Sequence, residues 1–139
     1  MSVNDVQQEI VEEFEMFDDW MEKYEHIIEQ GKELQGLEDH LKTDENLVKG
    51  CQSRVWLVSE QLPDGKIQFK ADSDAVIAKG IIAMLIRVLN NRTPQEILDA
   101  DLWFVDKIGL KQHLSPNRAN GLVSMIKKIK MYALSHKMK

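Results

Sequence analysis

The stretch Asn46-Leu47-Val48-Lys49-Gly50-Cys51-Gln52-Ser53-Arg54-Val55-Trp56-Leu57-Val58 carries the one cysteine of the sequence. Gly50 admits positive φ without steric penalty, so the backbone can turn sharply just before the thiol. A cysteine at such a turn differs from the usual buried one, which sits inside an element as a small hydrophobe. Its neighbours Lys49, Gln52, Ser53 and Arg54 are polar and partly basic, surroundings expected to keep thiolate available. With an ordinary pKa of about 8.5, about 3% of a cysteine is thiolate at pH 7. No general base stands near it in sequence, which argues against hydrolysis. Thiol exchange, in which a thiolate attacks another sulfur, suits it better. A purely structural or merely oxidisable thiol, in an interaction module or redox sensor, is the competing reading.

Other chemistries find no residues to carry them. There is no glycine-rich phosphate loop or serine nucleophile elbow. His26, His40, His113 and His136 are scattered singly, without zinc-ligand spacing. An iron–sulfur cluster requires roughly four thiolates, which this chain cannot supply. No cofactor or metal of its own is therefore expected. The net charge of −5 lies mostly in the N-terminal third and disfavours a nucleic-acid partner. Lys127, Lys128, Lys130, Lys137 and Lys139 crowd the C-terminus, where cations complement a helix dipole. No apolar run is long enough to span a bilayer, and the N-terminus lacks a signal-peptide pattern. With no possible internal disulfide, the expected location is cytoplasmic.

The elements that must position Cys51 can be read from periodicity. Val3, Val6, Ile10, Phe14 and Phe17 form one helical stripe, with Ser2 and Asp5 placed to cap it. A break at Asp18-Asp19 starts a second helix through Trp20, Tyr24, Ile27 and Ile28, with Gly31 as its expected stop. Residues 32–45 show no period and are expected to be an irregular connection pinned by Leu34, Leu37 and Leu41, with His40 exposed. Strands are expected at 46–49, 54–59 and 66–71, the last two joined by a Pro63-Asp64-Gly65 turn. Trp56 is expected in the core, and Ile67, Phe69 and Ala71 should face a helical layer. Asp72-Ser73-Asp74 offers caps for an almost wholly apolar helix, Ala75 to Leu89, whose Gly80 permits close approach of another backbone. Thr93-Pro94 opens a short helix, Asp99 or Asp101 caps another through Val105, and Ser115-Pro116 opens the last. The prediction is one α+β domain over 1–139, a small antiparallel three-stranded sheet packed on one layer of helices.

Three segments, in order, carry a family likeness. Gly50-Cys51-Gln52-Ser53 with Val55-Trp56, then Asp72-Ser73-Asp74-Ala75 leading to Gly80, then His113-Leu114-Ser115-Pro116 with Arg118 and Gly121 resemble the recurring segments of the SufE family of sulfur-acceptor proteins. The resemblance implies that Cys51 accepts persulfide sulfur from a pyridoxal-phosphate cysteine desulfurase of the SufS kind. It further implies that the protein stimulates that enzyme and passes sulfur to an iron–sulfur assembly scaffold. The pyridoxal phosphate would belong to the desulfurase. It implies a fold like that of IscU-type scaffold proteins, and often a homodimer. Gly50, Gln52 and Ser53 would support the cysteine turn. Gln52 either bonds the turn or steadies a bound persulfide. Asp74 is first an N-cap and second a partner contact. Arg118 either pairs with an acid or faces the partner. A pocket sheltering the sulfur is expected between the sheet and the Ala75–Leu89 helix.

Overall fold

The computed structural model describes residues 1–139, and its axis is α3 (Val76–Leu89). Nearly every side of α3 is buried, including Ile82, Met84, Leu85 and Leu89 at 0% exposure. Each such aliphatic side chain contributes about 1.5–3 kcal/mol relative to an exposed one. Helices α1 (Val3–Glu15) and α2 (Trp20–Lys32) cover one side of it. A sheet of two antiparallel strands, β1 (Val55–Gln61) and β2 (Ile67–Ser73), adjoins α3 through β2. Short helices α4 (Pro94–Asp99), α5 (Phe104–Lys107) and α6 (Leu110–His113) lead into the long α7 (Pro116–Lys137).

The helix starts follow their caps. Ser2 and Asp5 form a reciprocal capping box, as do Thr93 and Glu96, while Asp19 and Ser115 cap α2 and α7. These satisfy backbone N–H groups that the first turn leaves without intrahelical partners. In the sheet, Val55 pairs with Ser73 and Gln61 with Ile67, and Ile67, Phe69 and Ala71 are buried as their alternation requires.

Gly80 is in the core because a side chain has no room there. A Cβ at this position would collide with the carbonyl oxygen of Ile27, and one at Gly31 would lie 2.9 Å from Gly80 N. The two glycines let α2 and α3 approach backbone to backbone. Gly31 accordingly does not stop α2, which continues to Lys32.

Several expectations are corrected. The sheet has two strands, not three. Residues 46–49 form no strand: Leu47 makes a single bridge to Trp56, and Val48 N donates to Val55 O at 2.7 Å. Lys128 Nζ donates to the carbonyls of Glu45 and Leu47 at 3.1 and 2.9 Å, the second of which a strand over 46–49 would have offered to a ladder. Trp56 is half-buried rather than core. Period-two alternation puts Val55 and Leu57 inward and Trp56 on the opposite face, with the Lys42 ammonium 5.7 Å from its ring centre.

The Asp72-Ser73-Asp74 run does not cap α3 as expected. Ala75 occupies the N-cap position with no side-chain cap. Asp72 lies at the end of β2 and binds the preceding connection instead. It accepts from Leu37 N at 3.3 Å and pairs with Lys42 and Lys79 at 3.4 and 3.2 Å. Burial raises its pKa, but hydrogen bonds from Ser73 and Leu37 and the nearby Lys79 together hold it below the usual value. That connection also contains two 3-10 turns, Asp39–Leu41 and Asp44–Asn46, where no regular structure was expected. His40 is exposed. Neither Asp99 nor Asp101 caps α5. Gln7 of α1 does the equivalent work from a distance, accepting from Phe104 N at 3.0 Å and donating to Asp101 O at 3.0 Å.

Candidate functional site

Cys51 lies in the loop between the Asp44–Asn46 turn and β1. Gly50 turns that loop with φ +93°, a conformation that L side chains adopt only under strain. A Cβ at Gly50 would also run into Ser124 Oγ on α7. The loop is thus pressed against the last helix, and a side chain at 50 would have to displace the Ser124 hydroxyl as well as adopt the strained φ.

At the far side of the turn the loop is tied to the end of β2. Asp74 Oδ1 accepts from Arg54 N at 3.1 Å, and Arg54 O accepts from Ser73 Oγ at 2.7 Å and Asp74 N at 3.2 Å. Cys51 is therefore the middle of a short span anchored at both ends. Its Sγ donates to Gly121 O at 3.5 Å.

The sulfur borders a cavity of about 100 Å³. Ile77, Ala78 and Ile81 of α3 and Gly121 and Met125 of α7 line it, with Gln52, Ser53, Asn117 and Arg118 completing the wall. A water needs only about 10–15 Å³ of such space, so the cavity has room for an added sulfur atom. The sheet contributes no wall, contrary to expectation; α3 and α7 build the pocket. Gly121 is what opens it, since a Cβ there would stand 3.2 Å from Sγ.

Burial pushes the Cys51 thiol up from its usual pKa. The basic sequence neighbours do not offset this, which corrects the expectation of a readily available thiolate. Lys49 and Arg54 are exposed, and charges directed into water are strongly screened. The resting group is a sheltered, protonated thiol.

Arg118 pairs with no acid. Its Nη1 donates to the Tyr24 hydroxyl at 2.7 Å, and its guanidinium carbon lies 6.0 Å from the Tyr24 ring centre. One turn earlier on α2, Trp20 stacks on His113 with ring centres 4.0 Å apart. Together these contacts hold α2 against the corner between α6 and α7. Gln52 Oε1 accepts from Asn117 Nδ2 at 3.5 Å, so it bonds toward α7 rather than within the turn.

Of the residues singled out in sequence, Cys51, Gln52, Ser53 and Arg118 come together at the cavity. Gly50 faces Ser124 instead, and Asp74 stands behind the loop. The sequence reading missed Asn117 and Met125 as wall residues. Their spacing with Gly121, four and eight residues along α7, places all three on one helix face and was the available signal. Tyr24 gave none, because it reaches Arg118 only through tertiary packing.

A larger cavity, about 650 Å³, lies elsewhere, bounded by Leu34, Phe69, Ala83, Arg87 and Asn90 among others. Its Arg87 is bound by Glu13 and Glu9 at 2.5 Å each, and it holds no cysteine, serine or histidine. No cluster of three or more His, Cys, Asp or Glu side chains could hold a metal ion. No helix is long and apolar enough to cross a membrane.

A sequence model described as SufE, an Fe-S metabolism associated domain, matches residues 8–133. The fold is similar to the solution structure of a hypothetical protein from Thermus thermophilus, with a TM-score of 0.77 at 15% identity. The match covers 96% of this chain and 97% of the other. At that identity the likeness concerns the fold alone.

Proposed function

The chain belongs to the SufE family of Fe-S metabolism associated domains, and from that membership we propose that Cys51 is a sulfur acceptor and carrier. The donor is the persulfide of a pyridoxal-phosphate cysteine desulfurase, and the recipient an iron–sulfur scaffold. Cys51 first releases its proton to solvent. Its thiolate attacks the terminal sulfur of the donor persulfide, forming a new S–S bond as the donor S–S bond breaks. The donor cysteine leaves as thiolate, and Cys51 carries the persulfide. One sulfane sulfur moves with no net oxidation or reduction, so the reaction uses no cofactor of this chain.

The observation that carries the reading is a lone thiol, half-sheltered, beside a cavity with space for one more sulfur. A carrier must shield its cargo from oxidants at rest and present it on docking. The span between Gly50 and Arg54 supports both, since its shelter comes from packing on α7 rather than from a strand ladder. Arg118, exposed and without an acidic partner, faces the donor. A cytoplasmic homodimer is part of the same reading.

The test is intact mass after incubation with a desulfurase and free cysteine. The carrier gains one sulfur, and Cys51→Ser gains none. The raised pKa of Cys51 also suits an inert or merely oxidisable thiol, and in that case the parent mass would not change.

A further inference from the structure

A second surface, formed by α7 and the segment leading to the cysteine loop, carries features of a binding site. A cleft of about 550 Å³ runs between residues 45–49 and α7. Lys49, Lys127 and Lys128 line it, with Glu45 the one acid on its wall. The ion pairs of the protein are made by Lys32, Lys42, Lys79, Arg87, Lys111 and two histidines, so these three lysines have no carboxylate partner. Lys128 is fixed by Glu45 O and Leu47 O. Burial, then the charge of Lys49, lowers its pKa, as expected for a cation facing another cation without an anion between them.

Beside this positive cleft the same helix exposes apolar side chains. Val123, Met131 and Leu134 are 40%, 69% and 47% exposed. With Lys127 they recur at intervals of four and three residues, one face of a helix. From 123 to 134 this stripe is about 16 Å long at 1.5 Å per residue, about three turns of a facing helix.

We propose that this surface binds an acidic amphipathic helix of a protein partner. Its apolar side chains pack along Val123, Met131 and Leu134, and its carboxylates reach Lys49, Lys127 and Lys128. Charge complementarity selects the occupant: a local excess of cations in a chain of net charge −5 calls for acid, and the adjoining apolar stripe calls for a helix face rather than a phosphodiester strand. The acidic helices of this chain do not supply it to a second copy, because α1 and α2 already spend Ile10, Phe14 and Ile27 on the core. Lys49 immediately precedes Gly50 and Cys51, so the occupied surface adjoins the thiol loop. That it seats the sulfur donor or recipient rests on the carrier reading; the binding itself does not.

The test is a titration of the isotope-labelled full chain by NMR, using a synthetic peptide of about fifteen residues, long enough to be helical when bound. The peptide has leucines at helical spacing and glutamates elsewhere. Shifts should fall on residues 45–50 and 123–135 and weaken with salt. The double variant Lys49→Glu, Lys127→Glu, both exposed positions, should bind about tenfold more weakly. The proposal is overturned if a glutamine-for-glutamate peptide binds equally well, or if the shifts map elsewhere. Undiminished binding by the double variant overturns it too, as does a preference for phosphatidylserine vesicles over the peptide. Intact-mass loading of Cys51 is read separately: loading without peptide binding sinks the surface alone, and peptide binding without loading sinks the carrier reading alone.

Discussion

Gly121 meets Cys51 with its backbone only: its carbonyl accepts from Sγ at 3.5 Å, and a Cβ on it would stand 3.2 Å from the sulfur. Gly121→Ala therefore crowds the thiol without touching the anchors of its loop. Alanine also favours the helix by up to about 1 kcal/mol, which offsets the crowding, so stability should change by less than about 1 kcal/mol. Cys51 should then react several-fold faster with iodoacetamide in the folded state. An unchanged alkylation rate would show that Gly121 does not govern access to the sulfur.

The same exchange at the buried Gly80 should behave differently. In Gly80→Ala the new methyl meets the backbone oxygen of Ile27, which cannot rotate aside. Overpacking of this kind costs about 1–3 kcal/mol, occasionally more, and exceeds the helix-propensity gain. Urea denaturation should place Gly80→Ala about 2 kcal/mol below the parent. Equal midpoints would mean that α2 slides away at little cost.

Cys51 alkylation should also report its environment through pH. Because burial raises the thiol pKa, the thiolate fraction at pH 7 lies below the roughly 3% of a free cysteine. The reaction rate should climb with pH to a midpoint above that of the urea-unfolded chain, where the ordinary value near about 8.5 returns. A folded midpoint below the unfolded one would mean that a cation such as Arg118, on the wall of the same cavity, outweighs burial at the sulfur.

Arg87 joins α3 to α1 through Glu9 and Glu13. The Arg87 hydrogen bond holds the Glu13 carboxyl below its usual pKa, with a further contribution from His26 and against the effect of burial. A depressed carboxylate pKa stabilises the fold above the unfolded value of about 4.3, and that contribution disappears as pH falls through the folded value. Arg87→Met should destabilise by about 1–2 kcal/mol at pH 7, allowing for screening of these partly exposed groups. The gap between parent and variant should narrow below about pH 4. A gap independent of pH would assign the loss to packing alone.

Local chemistry was the legible part of the sequence. Ser2, Asp19, Thr93 and Ser115 cap their helices because the cap acts on amides two or three residues away, and the alternation of Ile67, Phe69 and Ala71 fixed the inner face of β2. What failed depended on remote partners. Lys128, about eighty positions after Leu47, takes a carbonyl of the segment 46–49 that was expected to make a third strand. Asp72 binds the Leu37 amide and the Lys79 side chain of α3 instead of capping that helix, because pairing with Trp56 holds it within β2. The place of the lone thiol just after a glycine turn was legible in residues 46–58, but its shelter was not, since Gly121 and Met125 arrive from the far end of the chain.

That distance bears on how the protein is made. Synthesis proceeds from the N-terminus, and domains generally fold as units once their parts have emerged. One wall of the pocket that hides Cys51 belongs to the 22-residue α7, so the thiol leaves the ribosome long before that part of its cover. A nascent chain that stops short of α7 leaves the cysteine open to oxidants on that side.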